Sequence, residues 1–156
     1  MNSKLFFSQR INLLIILISS LMMVVVLNLP FKAKPFGDIT FHEEAKNLAL
    51  YLKGDIGYDK VMITKAPGPV FFYTPAYIAA PSVATDNQLW VYGVVFTFIT
   101  ITISLLLIFK IGSNLFSKEV GLLSVLLFFI FPIHCYYSLG ILAEVPAFFS
   151  LTLALY

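Results

Sequence analysis

Three acids and a histidine stand within seven residues of the chain, at Asp38, His42, Glu43 and Glu44. They follow a stretch from residue 11 to residue 31 that contains no charged side chain. A carboxylate at the edge of such an apolar stretch can act as a general base, because partial removal from water raises its pKa. Asp38 is therefore a candidate base for an acceptor hydroxyl; the alternative is an ordinary helix cap or a solvated loop acid.

Two further charged residues could serve the same chemistry. Lys65 heads the proline-rich segment TKAPGPVFFYTPAYIAAPS, where a cation could meet a phosphate at headgroup level or could simply extend its ammonium to the interface. Glu144 lies between two apolar runs, which favours a functional role. The alternative is structural: an acid two residues before a proline, here Glu144 before Pro146, also matches an ordinary helix start.

His134 and Ser138 flank the tyrosine pair of the segment HCYYS. This tyrosine pair resembles the aromatic belt residues found at the outer face of a membrane. This position would place both residues at the same boundary as Asp38. A lone histidine beside aromatic residues is also typical of simple hydrogen bonding. A metal-ligand role for His134 would need partners, and no spacing in the chain resembles a zinc motif.

Membrane-spanning helices are the elements that would hold these residues in place. The chain is 60% hydrophobic and 12% charged, whereas soluble domains carry about 25% charged residues. Apolar windows predict spans at residues 11–31, 87–109 and 120–138, and a fourth span that begins at 145–156. Twelve residues are too few to cross about 30 Å of hydrocarbon, so we expect the chain to be the N-terminal piece of a longer protein.

Lysine and arginine positions predict the orientation of these spans. Lys4 and Arg10 lie in the tail 1–10, and Lys110 and Lys118 lie in the loop 110–119, so both segments should be cytoplasmic. Residues 32–86 then form a long outer loop. The protein is therefore predicted to cross the cell membrane several times, with its N-terminus in the cytoplasm. Its net charge of +2 gives no indication of a nucleic-acid partner.

The outer loop has its own helical pattern. Phe41, Ala45, Leu48 and Leu52 recur at the spacing of one helix face, which predicts an amphipathic helix along the membrane surface. A capping box is expected at its start, formed by Thr40 and Glu43, with Glu44 solvated. The prolines between residues 66 and 85 argue against a spanning helix and predict an interfacial or re-entrant segment packed against protein.

The order of these features resembles the N-terminal part of the membrane-embedded GT-C glycosyltransferases, the dolichyl-phosphate-mannose protein mannosyltransferase and aminoarabinose-transferase-like group. The matching stretches are a first-loop GD ahead of EEAKNLALYLKG, the segment KAPGPVFFYTPAYIAAP, and the turn YYSLGILAEVP. The similarity runs from about residue 11 to residue 156. Ile39 stands where the family has a second acid, and Leu139 stands where it has a basic residue.

The resemblance implies an all-α integral membrane protein, namely a GT-C-like bundle fragment with amphipathic juxtamembrane helices in the first outer loop. It implies inverting sugar transfer from a polyprenyl-phosphate donor to an acceptor glycan, lipid or protein. Asp38 and Glu144 match the family's acids and would be catalytic, whereas Lys65, His134 and Ser138 would bind substrate. Either Lys65 or a divalent metal ion could stabilise the departing phosphate.

Two other classes of function fit the same composition. One is a small multi-span partner subunit without catalysis, and the other is a transporter fragment whose broken proline-rich segment lines a pathway. A glycosyltransferase fragment of this length is expected to be inactive alone.

Overall fold

The computed structural model describes residues 3–28, 39–64, 67–81, 83–130 and 144–156. Within these ranges the chain is helical, and no strand is present. The elements are α1 (Ser3–Asn28), α2 (Ile39–Lys53), a 3-10 turn (Tyr58–Lys60), α3 (Pro67–Ile78), α4 (Asp86–Leu115), α5 (Lys118–Ile130) and α6 (Glu144–Leu155). The predicted all-α class is therefore confirmed.

Helix α4 is the central element, and local sequence sets its start. It contains 30 residues and is about 45 Å long at 1.5 Å per residue. The Thr85 hydroxyl accepts a hydrogen bond from the Gln88 N–H, and the Gln88 side chain accepts one from the Thr85 N–H. The helix continues beyond the apolar window that ends at Phe109, because hydropathy delimits the apolar part of a helix and not its hydrogen-bonded ends.

Among the described residues, α4 is the one helix long and apolar enough to cross a membrane. Two shorter apolar helical segments cover Arg10–Met22 and Glu144–Leu155. A helix with the length and composition of α4 also occurs in the cores of soluble proteins. Helix α4 is therefore a candidate span.

Helix α1 runs antiparallel to α4. Met22, late in α1, packs against Val94 and Phe98, which are early in α4. The early residues Ile11 and Ile15 belong instead to a cluster that contains Ile101, Leu105 and Phe109 of α4. The start of α1 therefore lies beside the end of α4.

Helix α5 turns back along α4 through a contact between two glycines. A Cβ on Gly112 would lie 2.8 Å from the Gly121 Cα, and a Cβ on Gly121 would lie 2.6 Å from the Phe109 carbonyl oxygen. Such a close backbone approach is typical of small residues at helix crossings in membrane proteins. Val125 of α5 then packs into the cluster that contains Phe109.

Helix α6 runs in the same direction as α4. Its Phe149 ring lies 6.0 Å from the Phe72 ring of α3, and Phe72 in turn contacts Phe96 of α4 at 5.3 Å. At the other end, the Lys110 ammonium lies 5.4 Å from the centroid of the Tyr156 ring. Since α3 packs near the start of α4, the first residues of α6 point towards that end.

Helices α2 and α3 form a pair that covers the first turns of α4. Their buried contact residues are Phe41, Ala45, Leu48 and Ala49 of α2 with Val70, Tyr73 and Tyr77 of α3, joined by Leu89 of α4. Three residues of the predicted α2 stripe are buried. The fourth, Leu52, is 58% exposed, because Ala49 completes the helix face one turn earlier.

The prolines of α3 fit a short helix supported by its neighbours. Pro67 and Pro69 lie in the first turn, where the backbone N–H has no intrahelical partner to lose. Pro75 lies inside the helix and is exposed. The prediction that this segment packs against protein is confirmed, because Val70, Tyr73 and Tyr77 are almost completely buried.

The start of α2 differs from the expected capping box. The helix begins at Ile39, so Thr40 occupies a helical position and not the N-cap. The Glu43 carboxylate contacts the Lys46 ammonium at 2.6 Å. An ion pair within the helix thus uses the side chain that was expected to cap it.

We expect Gly121→Ala to destabilise the protein by about 1–3 kcal/mol, the usual cost of overpacking a tight contact. The added methyl group would meet backbone atoms of α4 that cannot rotate away. The free energy of unfolding, measured by denaturant titration of the purified chain, checks this. Gly68→Ala is the matched control because its Cβ would meet nothing within 4 Å; equal stability of the two variants would contradict the prediction.

Candidate functional site

Most of the predicted site residues fall outside the part of the chain that the structure describes. Asp38, Lys65, His134 and Ser138 are in this group, so their proposed roles remain predictions. Glu144 is described: it is the first residue of α6 and is exposed. It lies at the end of α6 that points towards the start of α4, but its neighbour Val145 packs with Ile101, so Glu144 lies beside the middle of α4 and not beside its first turn.

The α2–α3 pair, beside the start of α4, carries a group of interacting polar side chains. His42 and Tyr77 form its buried centre, with exposures of 4% and 1%. The His42 Nδ1 atom and the Tyr77 hydroxyl lie 2.7 Å apart, and the two rings meet edge to face. Each side chain thereby satisfies the other in a place that water does not reach.

Burial sets the protonation of this pair. Desolvation lowers the pKa of the His42 imidazole, an effect that Glu43 and Asp86 oppose and Lys46 reinforces. Burial also raises the pKa of the Tyr77 phenol above its ordinary value. Both groups are therefore held in their neutral forms near neutral pH.

Glu44 is buried, which corrects the expectation that it is solvated. Its side chain faces the segment after the 3-10 turn, and its Oε1 atom accepts hydrogen bonds from the Thr64 backbone N–H at 2.8 Å and from the Thr64 hydroxyl. Its Oε2 atom is buried and has no hydrogen-bond partner among the described residues. Glu44 is buried because the chain after the 3-10 turn folds back over α2 at this point, a tertiary contact that the local sequence does not indicate.

Lys46 joins α2 to the start of α4. Its ammonium contacts the Glu43 carboxylate at 2.6 Å and Asp86 Oδ1 at 3.1 Å, and its side chain is 14% exposed. Burial alone would lower the pKa of Lys46, but the hydrogen bonds to Glu43 and Asp86 outweigh it and raise the pKa. The lysine is therefore charged and held between two carboxylates.

Lys53 closes the end of α3. Its ammonium donates hydrogen bonds to the carbonyl oxygens of Tyr77 at 2.9 Å and Ala80 at 2.5 Å. Carbonyls at the end of a helix lack intrahelical partners and carry partial negative charge, so a cation is favoured there. The last turn of α2 and the end of α3 are thereby fixed to each other.

A cleft of about 150 Å³ lies between these two lysines. Its walls come from α2, from the chain just after α3 and from the first turn of α4. The lining residues are Lys46, Ala49, Leu50, Lys53, Tyr77, Pro81, Ala84, Asp86 and Leu89. The cleft thus combines ammonium and carboxylate groups with an apolar wall, which suits binding and orientation of a ligand.

The described residues contain no group of three or more His, Cys, Asp or Glu side chains that could hold a metal ion. His42 and Glu44 are both buried, yet their contacts run to Tyr77 and to Thr64 respectively. The two side chains are therefore committed to different neighbours and do not form a metal centre together.

Sequence reasoning did not identify Lys46, Lys53, Tyr77 or Asp86 as site residues. The spacing of Glu43 and Lys46 signals an i,i+3 ion pair, but nothing local shows that Asp86, forty positions along the chain, would join it. Lys53 at the end of an amphipathic helix looks like an ordinary dipole partner of its own helix. Its actual acceptors belong to α3, a contact that only the tertiary fold creates.

We expect the stability of the protein to fall as the pH drops below 6.5, the ordinary pKa of histidine. Burial lowers the pKa of His42 in the folded state. At a pH between the folded and the unfolded pKa, the imidazole therefore binds a proton in the unfolded chain and not in the folded chain. The contribution of His42 is complete above 6.5 and declines towards the folded pKa. Unfolding free energies at about pH 5 and about pH 8, in the wild type and in His42→Gln, check this. His134 is present in both proteins, so its contribution cancels when their pH dependences are compared. An unchanged pH dependence in the variant would show that His42 is not the group responsible.

We compared the chain with known protein families, curated proteins and solved structures. No family model, curated protein or solved structure matches the chain.

Proposed function

We propose that the chain is part of a polytopic membrane glycosyltransferase. In this proposal it moves a sugar from a polyprenyl-phosphate donor to an acceptor hydroxyl on the outer side of the membrane. The observation that carries the proposal is the distribution of charge. The lysines and acids of α2 and the first residue of α4 gather at one end of a helical bundle, and α4 carries no charged side chain between there and Lys110.

Apolar side chains on the outer surface support a multi-pass membrane protein. Single exposed leucines are normal in soluble proteins, but here exposed residues recur four positions apart on each of four helices. Such rows make continuous apolar strips of the kind that soluble monomers avoid. The residues are Leu13, Leu17 and Leu21 of α1, Ile99 and Ile103 of α4, Leu123 and Leu127 of α5, and Leu151 and Leu155 of α6.

The alternation of helix direction supports the same topology. Helices α1 and α5 run opposite to α4, and α6 runs with it, so the four helices alternate along the chain. With the N-terminus in the cytoplasm, the start of α4 lies outside, together with the α2–α3 pair, and the first residues of α6 point towards that side. The end of α4 and the start of α5 lie inside, beside Lys110 and Lys118, as the positive-inside rule requires.

The proposed chemistry uses the outer boundary of the lipid. A polyprenyl tail remains in the bilayer and holds its phosphate at headgroup level. The acceptor oxygen attacks the anomeric carbon, the bond from that carbon to the phosphate oxygen breaks, and the acceptor proton passes to Asp38. Lys65 would compensate the charge on the departing polyprenyl phosphate, with Glu144, His134 and Ser138 beside the reacting sugar.

We expect single cysteines to report two sides of the membrane. In a Cys135→Ser background, Asp86→Cys should react with a membrane-impermeant maleimide in intact cells. Ser117→Cys, between α4 and α5, should react only after the membrane is opened. Labelling of positions 86 and 117 from the same side would overturn the multi-pass topology.

We expect Asp38→Asn to abolish sugar transfer, because an amide cannot accept the proton from the acceptor hydroxyl. The rate should fall at least about a hundredfold, the usual contribution of a general base. The assay measures transfer from polyprenyl-phosphate sugars by the longest natural version of the chain. Asp55→Asn, an exposed acid after α2, is the matched control; full activity of Asp38→Asn, or an equal loss in the control, would remove Asp38 from the mechanism.

A further inference from the structure

The cleft between α2, α3 and α4 is built mainly from side chains whose positions are fixed by contacts outside it. Lys46 is held by Glu43 and Asp86, and Lys53 is held by the end of α3. Leu89 and Ala49 belong to the buried cluster of the α2–α3 pair. The lining is therefore largely preorganised, which reduces the entropy lost when a ligand binds.

The charge around the cleft is balanced. The two ammonium groups are offset by the carboxylates of Glu43 and Asp86 and by the partial negative charge at the end of α3. A phosphate in the cleft would meet no excess positive charge and would lie beside the Asp86 carboxylate. The electrostatics therefore favour a neutral ligand over an anion.

Hydrogen-bonding capacity remains on both kinds of group. An ammonium carries three N–H donors, and contacts within the described part of the chain use two on Lys46 and two on Lys53. Asp86 uses Oδ1 for Lys46, and Oδ2 forms no bond with the described residues. The cleft thus offers two donors and one acceptor, which complements hydroxyl groups because each hydroxyl both donates and accepts.

The rest of the lining is apolar. Ala49, Leu89 and Pro81 present carbon surface, and the stems of both lysines add to it. The volume of about 150 Å³ is well below the roughly 300–1,000 Å³ of a pocket for a whole drug-sized ligand. A compact ring with hydroxyls on its rim and C–H groups on its face matches this size and chemistry.

We propose that this cleft binds one neutral sugar ring and that the ring belongs to the acceptor. The Lys46 and Lys53 ammonium groups donate to its hydroxyl oxygens, and Asp86 Oδ2 accepts from a hydroxyl. The apolar wall contacts the C–H face of the ring. Assignment of the ring to the acceptor rests on the proposed transferase function, whereas binding itself does not.

The test measures the binding of neutral methyl hexosides to the full chain in detergent micelles. Saturation-transfer NMR detects the bound hexoside. We expect Asp86→Asn and Lys53→Met each to weaken binding at least about tenfold, because each removes a hydrogen bond to a charged group. Asp59→Asn and Lys60→Met are the matched controls, since that exposed ion pair lies in the 3-10 turn outside the cleft. Unfolding curves for every variant show whether a loss of binding reflects a loss of fold.

Several results would overturn the proposal. They are absence of glycoside binding to the folded chain, equal weakening by the control variants, and displacement of the glycoside by inorganic phosphate at equal concentration. Transfer assays separate this site from the proposed function. The transfer assays use the longest natural version of the chain. Glycoside binding without any transfer by that version would refute the transferase and keep the sugar site, whereas transfer with an unchanged acceptor KM in its folded Asp86→Asn variant would refute the site alone.

Discussion

The packing of α2 on α3 is the constraint on which the structure around the start of α4 depends. Helix α3 has a proline in its interior and no charged residue, so it has little intrinsic tendency to remain a helix in water. Burial of Val70, Tyr73 and Tyr77 against α2 supplies the stability that its sequence lacks. The same contact places His42 against Tyr77 and brings Lys53 to the end of α3.

Electrostatics then attach this pair to the bundle. An ion pair exposed to water contributes little to stability, but Lys46 is mostly buried and bridges two carboxylates from different helices. The carboxylates of Glu43 and Asp86 are 46% and 76% exposed, so water screens both interactions and their contribution to stability is small. The bridge therefore fixes the angle between α2 and α4 more than it adds to the overall free energy of folding.

Periodicity and composition were sufficient to predict the helical class, the amphipathic α2 and the packing of the proline-rich segment against protein. They could do so because these properties depend on residues that are close in sequence. The burial of Glu44 and the contact from Lys53 to α3 could not be predicted in this way. Both depend on the return of the chain after residue 57, and a local pattern contains no information about which distant backbone will cover it.

The candidate site shows the same division. The acids Asp38 and Glu144 are conspicuous because they interrupt apolar sequence. Lys46, Lys53 and Asp86 are ordinary residues in ordinary helical positions, and they become a site only when three elements converge. Charges at membrane boundaries are common, so their type and spacing alone do not separate a binding cleft from an anchoring surface.

The glycine contact between α4 and α5 has a mechanical consequence. At Gly112 and Gly121 the two backbones touch, so these helices cannot slide or tilt there without a steric clash. This crossing lies at the end of α4 opposite the α2–α3 pair. Any relative motion of the helices is therefore smallest at this crossing, and the largest displacements are expected at the far end, where α2 and α3 cover the first turns of α4.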